Sequence, residues 1–324
     1  MRRFRMLALG ASLLVLAGAC GTGGGSPTTQ PSPATSPAGS TGIRIGSAGF
    51  YESALVAEIY AQVLEANGYS VDRQLEIGPR TVTFPALESG QFDMMPEYIG
   101  STLEYVVQDD GDPGGEASND TQATLSSLQA RLNERGLTVL GPTTAQDYDA
   151  FVMRPSTAES LGISQMSDLA EHAQELTWGV PPECATNPLC AGQLEDPYGI
   201  DFASLEVIEL GACGGEIAAA LGTAAEGAVD IGLMCSTQPD IARFGLLLLE
   251  DDQGVTPAQN LAPIFRNEWL EAAGGAQALA AILDPVSAEL TTEDLTELNV
   301  RVGLDQEDFE VVAREWLEEQ GMLP

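Results

Sequence analysis

The 324-residue sequence contains no lysine at all and a single histidine, His172. Without Lys there can be no phosphate loop closing in Gly-Lys-Ser/Thr, and one His cannot supply an HExxH zinc motif. No Gly-x-Ser-x-Gly turn occurs, so the usual nucleophile elbow of a serine hydrolase is absent too. His172 lies in the polar run Ala170-Glu171-His172-Ala173-Gln174, the pattern of a solvated helix face. Positive charge is scarce: 13 Arg stand against 48 Asp and Glu, and three of those Arg sit at positions 2, 3 and 5. A surface this acidic repels phosphate backbones, which excludes nucleic acid as a natural partner. Acidic runs such as Asp109-Asp110 and Glu250-Asp251-Asp252 read as solvated surface. Beyond the first 19 residues no apolar run approaches the ~20 residues that a membrane span needs.

What is present at the start is a leader. Met1-Arg2-Arg3-Phe4-Arg5 is positive, Met6 to Gly18 is apolar, and small residues follow, the tripartite form of a secretory signal. Ala17-Gly18-Ala19-Cys20 has the form of a bacterial lipoprotein processing site, with Cys20 as the lipidated residue. Ala17 stands where Leu is commonest; an ordinary secretory signal with an incidental Cys is the alternative, and the lipoprotein reading is preferred. Residues 21–41 are small, polar and uncharged, a composition that buries too little apolar surface to fold and serves as a tether. The expected organisation is a signal peptide over 1–19, a lipidated Cys and tether over 20–42, a first lobe from 43–147 plus 239–324, and a second from 148–238. The product would be exported and anchored by lipid to the outer face of the cytoplasmic membrane.

Four further Cys remain: Cys184, Cys190, Cys213 and Cys235. An even number in an exported body favours disulfides. Three pairings are possible; Cys184–Cys190 as a loop clip with Cys213–Cys235 is preferred. A tetrathiolate zinc site is the alternative, but its close-spaced pairs are missing.

The body alternates strand and helix. Ile43–Ser47 reads as a strand, and Glu52–Asn67 as a helix from its 3.6-residue apolar spacing. Ser70–Leu75 is a strand, Val82–Glu88 a helix stopped at Ser89-Gly90, and Phe92–Met95 a short buried strand ended by Pro96. Thr121–Glu134 predicts a helix, Leu137–Leu140 a strand, and Asp147–Met153 a strand leaving the first unit. A second unit opens with a Ser-capped helix at Met166 and continues through strands at Leu176–Val180, Leu205–Leu210 and Val229–Met234, with a helix over Glu216–Ala225. After Ser236 the chain is expected to return to the first lobe, with strands at Leu246–Glu250 and Leu261–Arg266 and helices over Trp269–Leu283 and Asp308–Glu319. Trp178, Trp269 and Trp316 fall in core positions. This rhythm predicts two α/β lobes with a ligand cleft between them.

The block from Arg80 to Tyr105 is the most informative: Ala86-Leu87-Glu88-Ser89-Gly90, then Asp93-Met94-Met95-Pro96-Glu97-Tyr98-Ile99-Gly100-Ser101. It closely resembles the "ALxxGxxDxxPEYxGT" block of the solute-binding proteins of ABC importers for glycine betaine, carnitine, choline and related osmoprotectants. Ile45-Gly46-Ser47 through Glu52, Pro181-Pro182-Glu183, Val229-Asp230, Ser236-Thr237, Leu249 to Asp252 and Leu298-Asn299 resemble further marks of that family in the same order. The resemblance implies a two-lobe periplasmic-binding-protein fold of type II. It also implies a binding protein, not an enzyme, that acts as a monomer without cofactor or metal and hands a small solute to an ABC permease.

In that family, rings enclose a quaternary ammonium by cation–π attraction, worth about 0.5–2 kcal/mol per ring. Tyr98 and Tyr148 match two of those rings, and Ser101 a hydroxyl donor on the loop expected after Met95. The rest of the site departs from the family. Ala48 replaces a basic residue, Asn187 falls where an Arg is common, and the second-lobe rings fall near Ala218 and Cys235. Tyr51 could supply a replacement ring, and Glu52 could pair with a cationic head group. Phe50 reads as core, and Glu97 as a cap or solvated loop residue. With the carboxylate clamp missing, a ligand without a carboxylate should bind better than glycine betaine. Two other readings stay open on the sequence: a lipid-anchored enzyme such as a carboxylate-using hydrolase, and a surface binding protein unconnected with transport.

Overall fold

A computed structural model describes residues 42–180, 197–201, 204–208, 214–222 and 228–323. The chain begins with β1 (Gly42–Gly46), α1 (Tyr51–Ala66), β2 (Ser70–Gln74), α2 (Arg80–Glu88), β3 (Met94–Tyr98), α3 (Ile99–Asp109), α4 (Thr121–Glu134) and β4 (Leu137–Val139). It crosses to β5 (Asp149–Met153), α5 (Pro155–Leu161), a 3-10 turn (Met166–Glu171), β6 (Thr177–Val180), β7 (Ser204–Val207), α6 (Gly215–Gly222), β8 (Ile231–Cys235), α7 (Asp240–Phe244) and β9 (Leu247–Leu248). It comes back through β10 (Leu261–Arg266), α8 (Asn267–Ala272), α9 (Ala276–Glu289), α10 (Thr292–Asn299), a π-turn (Val300–Leu304) and α11 (Phe309–Glu319).

Among the described residues these strands form two five-stranded sheets, ordered β2-β1-β3-β10-β4 and β7-β6-β8-β5-β9. In the first, β1 runs parallel to β2 and β3, and β10 runs antiparallel to β3 and β4. In the second, β6 runs parallel to β7 and β8, while β5 is antiparallel to β8 and β9. Apolar clusters fill both faces of each sheet, which makes two α/β lobes as expected. Trp269 and Trp316 are buried in the first lobe and Trp178 in the second.

Helix α1 is the centre of the first lobe and is buried from Glu52 to Leu64. Burying its polar residues requires partners. Glu58 accordingly accepts from Arg73 at 2.6 Å, and the Gln62 side chain donates to Glu58 at 2.9 Å.

The structure corrects the expected elements in four places. The return to the first lobe comes later than residue 239: β9 pairs with β5, so the segment after Ser236 stays with the second sheet. The two crossovers meet at the bridge between Gln146 and Asn260, where the Asp147 N–H also donates to the Gln259 carbonyl at 3.2 Å. The 3-10 turn at Met166 is capped by Gln165 and Asp168, not by Ser167. The helix expected over Trp269–Leu283 is two helices, broken at Gly274-Gly275.

The fourth correction concerns Pro96, which lies inside β3 and does not end it. Pro96 faces Pro263 across the antiparallel pair. The Ile99 N–H bonds the Asn260 carbonyl at 3.0 Å, so the hydrogen-bonded positions of this ladder alternate around the two prolines. The other neighbour, β1, pairs with β3 only at Met94, so the absent Pro96 N–H leaves no acceptor stranded. The expected loop is therefore absent. Tyr98 ends the strand and is at once the N-cap residue of α3.

The abrupt strand-to-helix junction explains a glycine in the block. A Cβ at Gly100 would lie 2.5 Å from the Ala258 carbonyl oxygen, a backbone atom of the second crossover. Gly100→Ala should destabilise the protein by about 1–3 kcal/mol, the usual cost of forcing an extra carbon into packed structure. Denaturant melts of the two proteins measure this directly, and an unchanged midpoint would contradict the close approach.

Candidate functional site

The two lobes meet where the N-terminus of α1 points at the second sheet. Glu52, in the first turn of α1, is 1 % exposed and is held by three donors. The Tyr98 hydroxyl reaches one carboxylate oxygen at 2.5 Å, and Thr237 Oγ1 and Asn299 Nδ2 reach the other, each at 2.5 Å. Tyr98 and Asn299 belong to the first lobe, whereas Thr237 follows β8 of the second. Thr237 is also bound from its other side, its N–H donating to Asp147 Oδ1 at 3.1 Å. The Ser236 hydroxyl donates to the same oxygen at 3.2 Å. Two buried acids thus flank one threonine at the first crossover. Burial pushes the Glu52 pKa up to about 8, with the Asp147 charge adding to the rise against the three hydrogen bonds. Asp147 is raised as well, chiefly by burial.

Tyr51 lines a cavity of about 340 Å³ shared by the two lobes. Its hydroxyl donates to Gln238 Oε1 of the second lobe. Gly303 and Leu304 complete the first-lobe wall, and Glu216, Ala219 and Asp240 are on the opposite one. A Cβ at Gly303 would come within 3.2 Å of the Tyr51 ring, so glycine lets the π-turn lie against that ring. The volume is near the low end for small-molecule pockets, about 300–1,000 Å³.

A second polar cluster flanks the same junction. Arg80, at the start of α2, donates to Glu97 Oε2 at 2.8 and 3.1 Å and to the Ser101 hydroxyl at 2.9 Å. Thr102 Oγ1 adds a bond to Glu97 Oε2 at 3.1 Å. Glu97 is thus the buried partner of an arginine and not a cap or solvated loop residue. Phe50 is half-buried against the first-lobe core and stacks on Tyr98, with ring centroids 6.2 Å apart and planes at 22°.

The expected site residues therefore divide. Tyr98 and Ser101 lie together with Phe50 and Arg80 at the end of β3, and Ser101 is in the first turn of α3 with its N–H bonded to Gln259 Oε1 at 3.0 Å. Tyr148 is half-buried at the first crossover, its N–H bonded to Ser236 Oγ at 3.1 Å. Burial, followed by the charges of Asp147 and Asp251, raises its phenol pKa. Glu52, expected to pair with a cationic head group, is buried and faces three protein donors in this conformation. Ala218, at an expected ring position, is fully buried in the core, and its neighbour Ala219 faces the cavity. Ala48 donates its N–H to Ser53 Oγ at 3.0 Å beside α1. Asn187, Cys20, Cys184, Cys190 and Cys213 lie outside the described residues; Cys235 ends β8. Arg80, Thr237, Gln238 and Asn299 are the residues that sequence reasoning left without a role. Ser236-Thr237 and Leu298-Asn299 were visible as family-like marks, but nothing local tied them to Glu52.

The chain is similar to known proteins over most of its length. Residues 41–319 match the substrate-binding domain of ABC-type glycine betaine transport systems. The glycine-betaine-binding protein of Pseudomonas aeruginosa is 30% identical over 290 residues, covering 87% of this chain and 88% of that protein. The glycine betaine-binding protein YehZ of Escherichia coli is 26% identical over 284 residues, covering 86% of this chain and 90% of its own length. The apo structure of YehZ superposes with a TM-score of 0.67 over 87% of this chain and all of that one. A glycine betaine/carnitine/choline ABC transporter structure, 20% identical, shares the fold with a TM-score of 0.71, covering 86% of this chain and 99% of its own. With the family matched across nearly the whole body and two lobes joined around a shared cavity, this chain belongs to the substrate-binding proteins of ABC-type glycine betaine transport systems.

Proposed function

We propose that the solute captured by this chain is a small quaternary-ammonium osmoprotectant, held between the lobes and passed to a membrane permease. As a substrate-binding protein of an ABC importer the chain works outside the cytoplasm and takes no part in ATP chemistry itself. The observation that carries the reading is the inter-lobe cavity of about 340 Å³, walled by an aromatic ring from α1 and by carboxylates from the second lobe. A methylated ammonium prefers such a place: rings and fixed negative charge replace the water it loses. Tyr98, stacked on Phe50, bonds Glu52 where the lobes meet, Ser101 bonds Gln259 beside the second crossover, and Tyr148 lies at the first crossover. We assign them the walls of the entry path, with Asn187 as a further polar contact.

A thermal-shift series with choline, glycine betaine and carnitine tests the reading. A ligand that binds only the folded state at 100 times its Kd adds about 2.7 kcal/mol of stability, a shift of several degrees. No shift with any methylated ammonium at millimolar concentration would sink the assignment.

Attachment belongs to the same proposal. No helix among the described residues is long and apolar enough to cross a membrane. The lipoprotein-type sequence at Cys20 and the uncharged stretch after it suit a lipid anchor and a tether, with a monomeric body beyond. Cys20→Ala should move the protein from the membrane fraction to the soluble one. Retention of the variant on membranes would rule out lipid at that residue.

A further inference from the structure

The cavity between the lobes has an unequal charge. Among the described residues its lining holds two carboxylates, Glu216 and Asp240, and no Arg. Asp240 is largely buried and its orientation is set: Oδ2 accepts from Gln238 Nε2 at 3.1 Å, and Oδ1 from Arg243 at 3.2 Å. Arg243 itself is not among the lining residues, and its side chain is 58% exposed. Glu216 is exposed in the first turn of α6 and has no ion-pair partner among the described residues. Its full charge outweighs the roughly half positive charge of that helix end. The Tyr51 ring and the Gln238 amide, joined by a hydrogen bond across the lobes, form the remaining polar wall.

On these grounds we propose that Glu216 and Asp240 set the charge selectivity of the inter-lobe cavity, admitting a choline-like cation and disfavouring solutes that carry a carboxylate. This rests on the quaternary-ammonium reading above and sharpens it. A cation placed against the Tyr51 ring gains from both the ring face and the two carboxylates. A betaine carboxylate in the same space meets the charge of Glu216, and the Arg243 guanidinium behind Asp240 is already engaged by that carboxylate. The cavity thereby does with acids what an aromatic cage does with rings, which accounts for Ala219 and glycine standing on the second-lobe wall where rings were expected nearby.

Calorimetry on the intact mature protein with choline and with glycine betaine, at fixed ionic strength, tests this. Choline should bind at least about tenfold more tightly, the effect of one modest like-charge repulsion. Glu216→Gln sits on an exposed turn, so it should fold normally, which a melt verifies. It should weaken choline and narrow the ratio several-fold. Raising the salt concentration should weaken choline in the wild type more than in the variant. Glycine betaine binding as tightly as choline, or a ratio untouched by the substitution, would overturn the selectivity assignment while leaving the quaternary-ammonium reading standing. Failure of both solutes to bind would overturn the two together.

Discussion

Glu52→Ala should destabilise the protein by about 3 kcal/mol or more. The substitution strands three donors, Tyr98 Oη, Thr237 Oγ1 and Asn299 Nδ2, in a place where water does not reach. Each buried polar group left unpaired costs about 1–3 kcal/mol, with some relief from hydroxyl rotation. Because Thr237 is in one lobe and Tyr98 and Asn299 in the other, the loss also loosens the lobes against each other. Urea melts of wild type and variant measure the first effect. A change of less than about 1 kcal/mol would mean that the network contributes little. Glu52→Gln should fall between, since its amide oxygen still accepts but its NH₂ meets donors.

The same carboxyl makes stability depend on pH with an unusual sign. The folded protein holds the Glu52 proton up to about pH 8, whereas the unfolded chain releases it near the ordinary value of 4.5. Between those limits the folded state binds more protons, so stability falls as pH rises and the loss is complete once Glu52 ionises in the folded state. Asp147, shifted in the same direction, adds to the decline. Melting temperatures from pH 5 to pH 8 should therefore drop in the wild type and drop less in Glu52→Gln. Parallel curves would show that this carboxyl does not drive the effect.

Arg80→Ala should cost about 3–5 kcal/mol, the penalty for removing one partner of a buried ion pair. The Glu97 side chain is 3% exposed and that of Arg80 25%, so the carboxylate is the deeper of the two. With the guanidinium gone, only the Thr102 hydroxyl remains to Glu97. Replacing both residues by Leu should recover most of the loss, because no charge is then stranded. A double variant as unstable as the single one would show that the damage lies elsewhere, for example in the bond from Arg80 to Ser101.

Several of the structure's features were legible because their causes are local. The apolar spacing of α1, the helix α4 from Thr121 and the strand at Leu261–Arg266 were read close to their observed bounds. Proline misled at Pro96, because its effect depends on whether a neighbouring strand needs its N–H, and that is a property of the sheet. The missed α3 follows from the same error, since ending the strand early turned its capping residue, Tyr98, into part of a loop. The return point was misplaced because β9 is two residues long, and only its pairing with β5 reveals its lobe.

By itself the sequence determined the acidic composition, the two-lobe α/β plan and the importer family, all carried by composition or by short ordered motifs. The tertiary structure alone decided which distant residues come together at the lobe junction. Glu52 meets Tyr98, Thr237 and Asn299 across separations of 46, 185 and 247 residues, and packing rather than any local preference brings them together. That is why Glu52 looks like a ligand contact in the sequence, while its bonds to residues of both lobes appear only in the fold. The acids that face the cavity, Glu216 and Asp240, were indistinguishable from 46 others until the fold put them opposite Tyr51.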